Sequence, residues 1–333
     1  MIAPAVPGVV LDVRDLHTYL YTRWGVVRAV DGVSFSLREG ETLGLVGESG
    51  SGKTMTALSL LRLLPEPAGR IVKGQILLDG DDLVTKTERE MRKVRARKIS
   101  MILQDPQTSL NPVFTAGNQL IEALRTLHAD GLRSLWRRAE DALRRVRVAA
   151  PEQRMRDYPH QMSGGMKQRI VGAISLAAEP KILVADEPTT ALDATIQLQY
   201  LNLLKEIQTR TGVAMLFITH DFGIVARMCD RVAVMYAGRI VESGPVRELF
   251  RAPRHPYTQA LMASVPRMDA EVQRLPSIDG QPPALHRLPA GCRFAPRCSY
   301  ADDRCRREYP ATFPVGADHE AACWRAEPSP PSR

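Results

Sequence analysis

The chain has 333 residues, a formal net charge of +8, 44% hydrophobic and 25% charged residues. That balance excludes wholesale disorder, and the length accommodates one large α/β domain with an appendage or two modest domains. The sequence holds no apolar run of about 18 residues, and residues 1–12 lack the basic and apolar regions of a secretory signal. It therefore predicts a chain that neither crosses a membrane by itself nor leaves the cytosol.

In chain order, residues 8–13 and 33–37 alternate as strands do, and Thr42–Val46 is a short apolar run entering a glycine cluster. Residues 55–64 show helical periodicity and stop at Pro65, and 75–78 read as a strand before the Asp79-Gly80 turn. A polar helical pattern covers 116–156, and a helix at 170–178 leads to an apolar run ending in acids at Asp186 and Glu187. Helices at 198–211 and 222–229 alternate with strands Ala214–Thr219 and 232–236. Alternating strands and helices predict a largely parallel sheet covered on both faces, hence an α/β fold.

Positive charge gathers in two helical runs. Residues 89–98 and 133–156 carry many arginines and few acids, which favours an anionic partner or the inner face of a membrane, unless these are simply solvated helix faces. From Arg267 onward the chain is rich in proline and poor in core residues, so this tail predicts a small region needing a staple, with residues 327–333 disordered. The division expected is 1–266 and 267–333.

The tail also holds Cys292, Cys298, Cys305 and Cys323, spaced C-x₅-C-x₆-C-x₁₇-C. In a cytosolic chain, clustered cysteines suggest a metal site more than disulfides. No C-x₂₋₄-C pair is present, which argues against the common zinc fingers and ribbons. Four thiolates brought together by irregular loops suit a [4Fe–4S] cluster, with zinc, four reduced cysteines or two disulfides in an oxidised preparation as alternatives. Arg293, Arg297 and Arg304 are candidates to offset the cluster's negative charge, and Cys229, on an apolar helix, is not a predicted ligand.

The sharpest motif is Gly47-Glu48-Ser49-Gly50-Ser51-Gly52-Lys53-Thr54, a G-x-x-x-x-G-K-[ST] phosphate loop between a strand and a helix. Its glycines let backbone N–H groups close around phosphate oxygens at a helix N-terminus. Lys53 is placed to reach the β- and γ-phosphates and Thr54 to ligate Mg²⁺, predicting ATP and Mg²⁺ as ligands. The strand ending in Asp186-Glu187 adds a Mg²⁺-shell carboxylate, Asp186, and a carboxylate that can polarise water in line with the γ-phosphate, Glu187.

Met162-Ser163-Gly164-Gly165-Met166-Lys167-Gln168-Arg169 resembles the signature motif of ABC ATPases, and the other landmarks follow in order. Gln104 stands in the Q-loop position, Ala191-Leu192-Asp193 is similar to the D-loop, and His220 occupies the switch-histidine position. The resemblance implies a P-loop NTPase fold with a RecA-like core, an antiparallel β subdomain and a helical signature subdomain. It also implies a head-to-tail dimer in which Ser163, Gly164 and Gly165, with Gln168 in the same motif, cap the γ-phosphate bound by the opposite subunit. His220 then contacts the γ-phosphate and orients Glu187, and Gln104 touches Mg²⁺ or the attacking water. The family's adenine-stacking aromatic falls at Leu20 here, a departure that leaves Tyr21 as the expected substitute and Tyr19 and Trp24 as neighbours.

Within the family, Asp105-Pro106-Gln107-Thr108-Ser109-Leu110-Asn111-Pro112, His255-Pro256-Tyr257-Thr258 and the segment 291–298 resemble the ATPases of oligopeptide and dipeptide importers. Tails of such importers that carry a [4Fe–4S] cluster point the same way as the cysteines. The implied function is ATP hydrolysis powering uptake of peptides, or of a nickel complex or glutathione-like solute. The implied partners are two membrane permeases, a second and different ATPase chain and an extracytoplasmic solute-binding protein, at the cytoplasmic face of the inner membrane. Nucleic acid is not an expected partner. DNA-associated ABC ATPases insert long coiled coils between P-loop and signature, whereas here an ordinary helical stretch separates Lys53 from Ser163.

Overall fold

The computed structural model describes residues 8–264 and 278–328. The expected boundary at Pro266 and the expected disorder beyond Pro328 fall outside them. Among the described residues the strands are β1 (Val9–Thr22), β2 (Gly25–Arg38), β3 (Thr42–Val46), β4 (Gly69–Leu78), β5 (Asp81–Asp82), β6 (Ile99–Ile102), β7 (Ile182–Asp186), β8 (Ala214–Thr219), β9 (Arg231–Tyr236), β10 (Arg239–Pro245), β11 (Phe313–Gly316) and β12 (His319–Ala321). The chain divides into two compact units. The first contains the stretch up to Leu11, Leu37–Glu41 and Thr85–Phe217; the second contains Asp12–Ser36, Thr42–Val84 and the chain from Ile218 on.

In the second unit most of β1 and β2 join β4 and β5 in a four-stranded sheet of order β2-β1-β4-β5. Both long strands exceed the sequence reading. The inward-facing residues of β1 are Leu11 and Val13, then Leu16 and Thr18, so the alternation slips by one at Asp15. Asp15 has φ 45°, a left-handed conformation that re-aims the strand and hides its continuity from a period-2 search.

The same unit holds the run β11-β12-β10-β9-β3. β3 lies parallel to β9, with Val46 opposite Val234, and every β3 residue is buried. Within this run the expectation of a largely parallel sheet holds for this pair, and β10, β12 and β11 add on antiparallel. The switch is local. Ala237 and Gly238 have φ 45° and 87° between the paired Tyr236 and Arg239, which makes a two-residue hairpin turn of the kind that reverses a strand.

The tail adds side chains to the core of the second unit. Phe294 is buried against the rings of Tyr236, Tyr257 and His255 at 5.3, 5.3 and 5.9 Å. β12 extends the sheet edge, and Glu327, expected to be disordered, pairs with Arg304. His255 is fully buried, and its Nδ1 accepts the Tyr257 N–H at 3.0 Å, capping helix Pro256–Ala263. Burial pushes this imidazole down to about 3, so it stays the neutral acceptor that the cap requires.

The first unit carries most of β8 together with β7 and β6; β6 and β7 are parallel, and β7 and β8 are wholly buried. Around them lie helices Glu88–Arg97, Ala116–Arg125, Leu132–Arg145, Gly164–Leu176 and Ala194–Thr211. Side chains of Thr87, Thr115, Ser163 and Asp193 cap four of them, and at Ser163 and Asp193 the capped helix begins earlier than its apolar periodicity suggests. The predicted helical stretch 116–156 is broken where Arg147 and Ala150 take φ of 58° and 48°. Its arginines are largely paired: Arg138 with Asp130, Arg144 with Asp141 and Glu152, Arg145 with Glu179 and Arg147 with Glu206. This second run is a solvated, salt-bridged face more than a free basic patch.

Candidate nucleotide-binding site

The phosphate loop leaves buried β3 and enters helix Lys53–Leu61. Gly47 and Gly52 have φ of 154° and 108°, and a Cβ at either would lie 2.1 Å from the Met235 carbonyl or 2.2 Å from the Ala29 carbonyl. Only glycine lets the loop pass this close to its neighbours. Lys53 is buried, and its Nζ donates to the carbonyls of Gly47 at 2.7 Å and Glu48 at 3.0 Å, curling its ammonium over the loop's start. Ser51 is buried, and its carbonyl accepts the Gly238 N–H at 2.8 Å. Ser49, Gly50 and Thr54 are exposed on the loop and the first helical turn.

His220 is exposed in the same unit, between the end of β8 and Asp221, whose carboxylate caps helix Phe222–Met228. Of the candidate aromatics, Tyr19 is already engaged: its hydroxyl donates to Asp31 at 2.6 Å. Burial, with that bond, pushes the phenol up to about 12. Tyr21 is 49% exposed, with the Arg70 guanidinium 5.8 Å from its ring, and Trp24 is 71% exposed at the strand's end. Both remain open to stack on a base.

The acidic motif lies in the first unit. Asp186 closes buried β7 and is itself buried. Glu187 follows at φ 44°, a strained conformation for a residue with a side chain. Its Oε2 accepts from Gln104 Nε2 at 3.2 Å and Thr190 Oγ1 at 3.1 Å. The Q-loop glutamine and the carboxylate are thus brought together, although 83 positions separate them in the sequence.

Ser163 and Gly164 are exposed at the start of helix Gly164–Leu176, and the Ser163 hydroxyl accepts the Met166 N–H at 3.3 Å. Gly165 is required by packing, since a Cβ there would meet Ile196 at 2.8 Å. Gln168 departs from the in-trans expectation: it is buried within its own unit. The open part of the motif is Ser163 and Gly164, with Gly165 half-buried behind them. Asp193 uses its carboxylate to cap helix Ala194–Thr211, accepting from Thr195 and Ile196.

Cys292, Cys298, Cys305 and Cys323 line one small, nearly apolar cavity together with Phe294 and Trp324. Among the described residues, no group of three or more His, Cys, Asp or Glu side chains is disposed to hold a metal ion. Burial raises the Cys292 thiol to about 11, and burial also raises Cys305 and Cys323. The expected charge-offsetting arginines point elsewhere. Arg293 pairs with Asp31 and the Ala237 carbonyl, Arg297 chelates Glu48, and Arg304 stacks on Trp324 and pairs with Glu327. Cys229 faces Gly44 of β3 and does not line that cavity.

A family model for the ABC transporter ATP-binding region matches residues 30–190, and one for the oligopeptide/dipeptide transporter C-terminal region matches 241–305. A probable peptide ABC transporter ATP-binding protein of Sinorhizobium fredii is 50% identical over 317 residues, 95% of this chain and 95% of that protein. The chain belongs to the ABC transporter ATP-binding family, in its oligopeptide/dipeptide branch. The oligopeptide transport ATP-binding protein OppD of Bacillus subtilis is 47% identical over 96% of this chain and 90% of its own length. Among solved structures, a dimeric ATP-binding cassette in a post-hydrolysis state bound to ADP and Pi matches 71% of this chain and 99% of its own. Its TM-score is 0.64 and its identity 26%. As an ABC ATPase the chain couples ATP hydrolysis to transport, and no described helix is long and apolar enough to cross a membrane. Sequence reasoning assigned no role beside the loop to Tyr257, Arg297 or Asp31, three buried polar residues tied to the loop or to the turns beside it. The family element His255-Pro256-Tyr257-Thr258 was the one signal that could have pointed to the first.

Proposed function

We propose that this chain is one of two ATPase subunits, the other a different chain, that power peptide uptake through two membrane permeases fed by an extracytoplasmic solute-binding protein. The observation that carries the reading is a bond between the two family regions. Tyr257, of the branch-specific His255-Pro256-Tyr257-Thr258 element, accepts the Glu48 N–H of the phosphate loop at 2.8 Å. The transporter-specific element therefore serves the nucleotide loop directly.

In this reading the loop's N–H groups and Lys53 bind the ATP phosphates, and Thr54, Gln104 and Asp186 hold Mg²⁺, which supplies charge neutralisation when bound. Glu187 takes the proton of the attacking water, and Gln104 and Thr190 hold that carboxylate in place. His220 contacts the γ-phosphate, Tyr21 stacks on adenine, and Ser163 with Gly164 and Gly165 caps the partner's nucleotide, with Asp193 shaping the adjoining turn. Residues 1–266 form the nucleotide-binding portion and 267–333 the C-terminal region, peripheral to the cytoplasmic face of the membrane. The test is co-expression with its permeases and reconstitution with the binding protein in liposomes. Di- or oligopeptides should stimulate ATP hydrolysis several-fold. Stimulation only by nickel complexes or glutathione-like compounds would replace the substrate, and salt-sensitive DNA binding without any transport would overturn the class.

For the tail we propose a [4Fe–4S] cluster in preference to zinc. Its support is the one small cavity that the four cysteines share. One zinc needs its thiolates about 2.3 Å from a common point, whereas a cluster spreads them over separate irons. Because a thiol must lose its proton to ligate a metal, loading should release protons and improve as pH rises. Anaerobically purified protein should be brown and hold about four irons per chain, with loss of colour in Cys298→Ser. Stoichiometric zinc without iron would refute the cluster.

A further inference from the structure

Glu48, the second residue of the phosphate loop, is held at three points. Its N–H donates to Tyr257 Oη at 2.8 Å, its carbonyl accepts Lys53 Nζ at 3.0 Å, and its carboxylate accepts both terminal nitrogens of Arg297, at 2.7 and 3.0 Å. Arg297 comes from the tail, 249 positions away, and its side chain is only 4% exposed. The rest of its guanidinium is also satisfied: Nε donates to the Asp279 carbonyl at 3.0 Å, Nη2 to the Ile278 carbonyl at 3.2 Å and Nη1 to Tyr236 Oη at 3.4 Å. The Tyr236 and Phe294 rings flank it at 5.9 Å. All five N–H donors of the fork are used, so its orientation is fixed.

The chemistry of the loop gives this pair a purpose. A loop built to receive the anionic phosphates of ATP carries a carboxylate at its second position. Left unpaired, that charge would repel the nucleotide at short range in a partly desolvated setting. We propose that Arg297 is a positioning residue for ATP binding: it neutralises the Glu48 carboxylate, turns it away from the phosphates and locks the start of the loop. The C-terminal region thereby contributes to nucleotide affinity without touching the nucleotide. This rests on the ATP-binding reading of the loop.

The test compares wild type, Arg297→Met, Arg297→Lys and Arg297→Met/Glu48→Gln. The readouts are the ATP KM and kcat of the assembled transporter and titration of each full chain with a fluorescent ATP analogue. Arg297→Met should raise KM and the analogue's dissociation constant about tenfold, equivalent to about 1.4 kcal/mol, while kcat changes less than about twofold. Adding Glu48→Gln should recover most of that loss, because the repelling charge is gone. Arg297→Lys keeps the charge but not the bidentate fork, so it should fall between wild type and Arg297→Met, which also keeps the test usable if the Met variant folds poorly. Unchanged KM in Arg297→Met, or a loss that Glu48→Gln does not recover, would overturn the inference. Failure of wild type itself to bind the analogue would instead overturn the ATP-binding reading.

Discussion

Glu187→Gln is expected to leave ATP bound while lowering steady-state hydrolysis by about 100-fold or more. The amide keeps the size of the side chain and can still accept from Gln104 and Thr190, which hold Oε2 at 3.2 and 3.1 Å. What it loses is the capacity to accept a proton from water as the γ-phosphate is attacked. The phosphate loop is untouched, because Lys53 and its carbonyl partners belong to a different stretch of chain. The backbone around the residue supports a functional assignment. Glu187 sits at φ 44° directly after a buried strand, a conformation that costs on the order of 1–3 kcal/mol and persists where surrounding structure enforces it. The measurement is phosphate release by the assembled transporter, paired with nucleotide binding to the same preparation. A rate within about threefold of wild type would remove the general-base role, and loss of nucleotide binding would show that the carboxylate serves the cradle instead.

Ser163→Arg is expected to silence the site formed with a wild-type partner while this chain's own phosphate loop still binds ATP. Ser163 is exposed at the opening of helix Gly164–Leu176, where free N–H groups and the helix dipole favour an anion. An arginine there fills the space a phosphate would occupy. Removing the cap to the Met166 N–H costs about 1 kcal/mol, too little to unfold the chain. Turnover at the opposite site should fall about 100-fold, as when preorganised donors to a developing charge are lost. The check is ATP hydrolysis in complexes carrying the variant on this chain alone, with nucleotide occupancy counted at both sites. Full activity would refute head-to-tail capping, and loss of binding at this chain's own loop would mean that Ser163 acts within its own subunit.

The parts of the site written as contiguous residues were legible because their geometry is local. The strand Thr42–Val46, the glycine loop and the following helix form one short segment, and its backbone needs are met by its own glycines. Strand Ala214–Thr219 was read to the residue, since a continuous apolar run between turn signals leaves little choice. Helix starts were read late where a side-chain cap precedes the apolar face, as at Ser163 and Asp193. The β1–β2 hairpin was read as two fragments, because Asp15 shifts the alternation and much of the hairpin is solvent-exposed.

By itself the sequence determined the family and its ATPase activity and singled out the residues proposed for the cradle and the acids, because each of those readings rests on residue types at short fixed spacings. Only the tertiary structure decided what surrounds them. Asp230 accepts the Thr42 N–H across 188 positions, Arg293 reaches Asp31 across 262 and Arg297 reaches Glu48 across 249. The sequence offered the tail arginines as partners for a thiolate cluster; in the fold they pair with carboxylates. A buried charge must find a counter-charge wherever packing brings one within reach. No local pattern encodes that encounter, because it depends on where two distant segments come to rest.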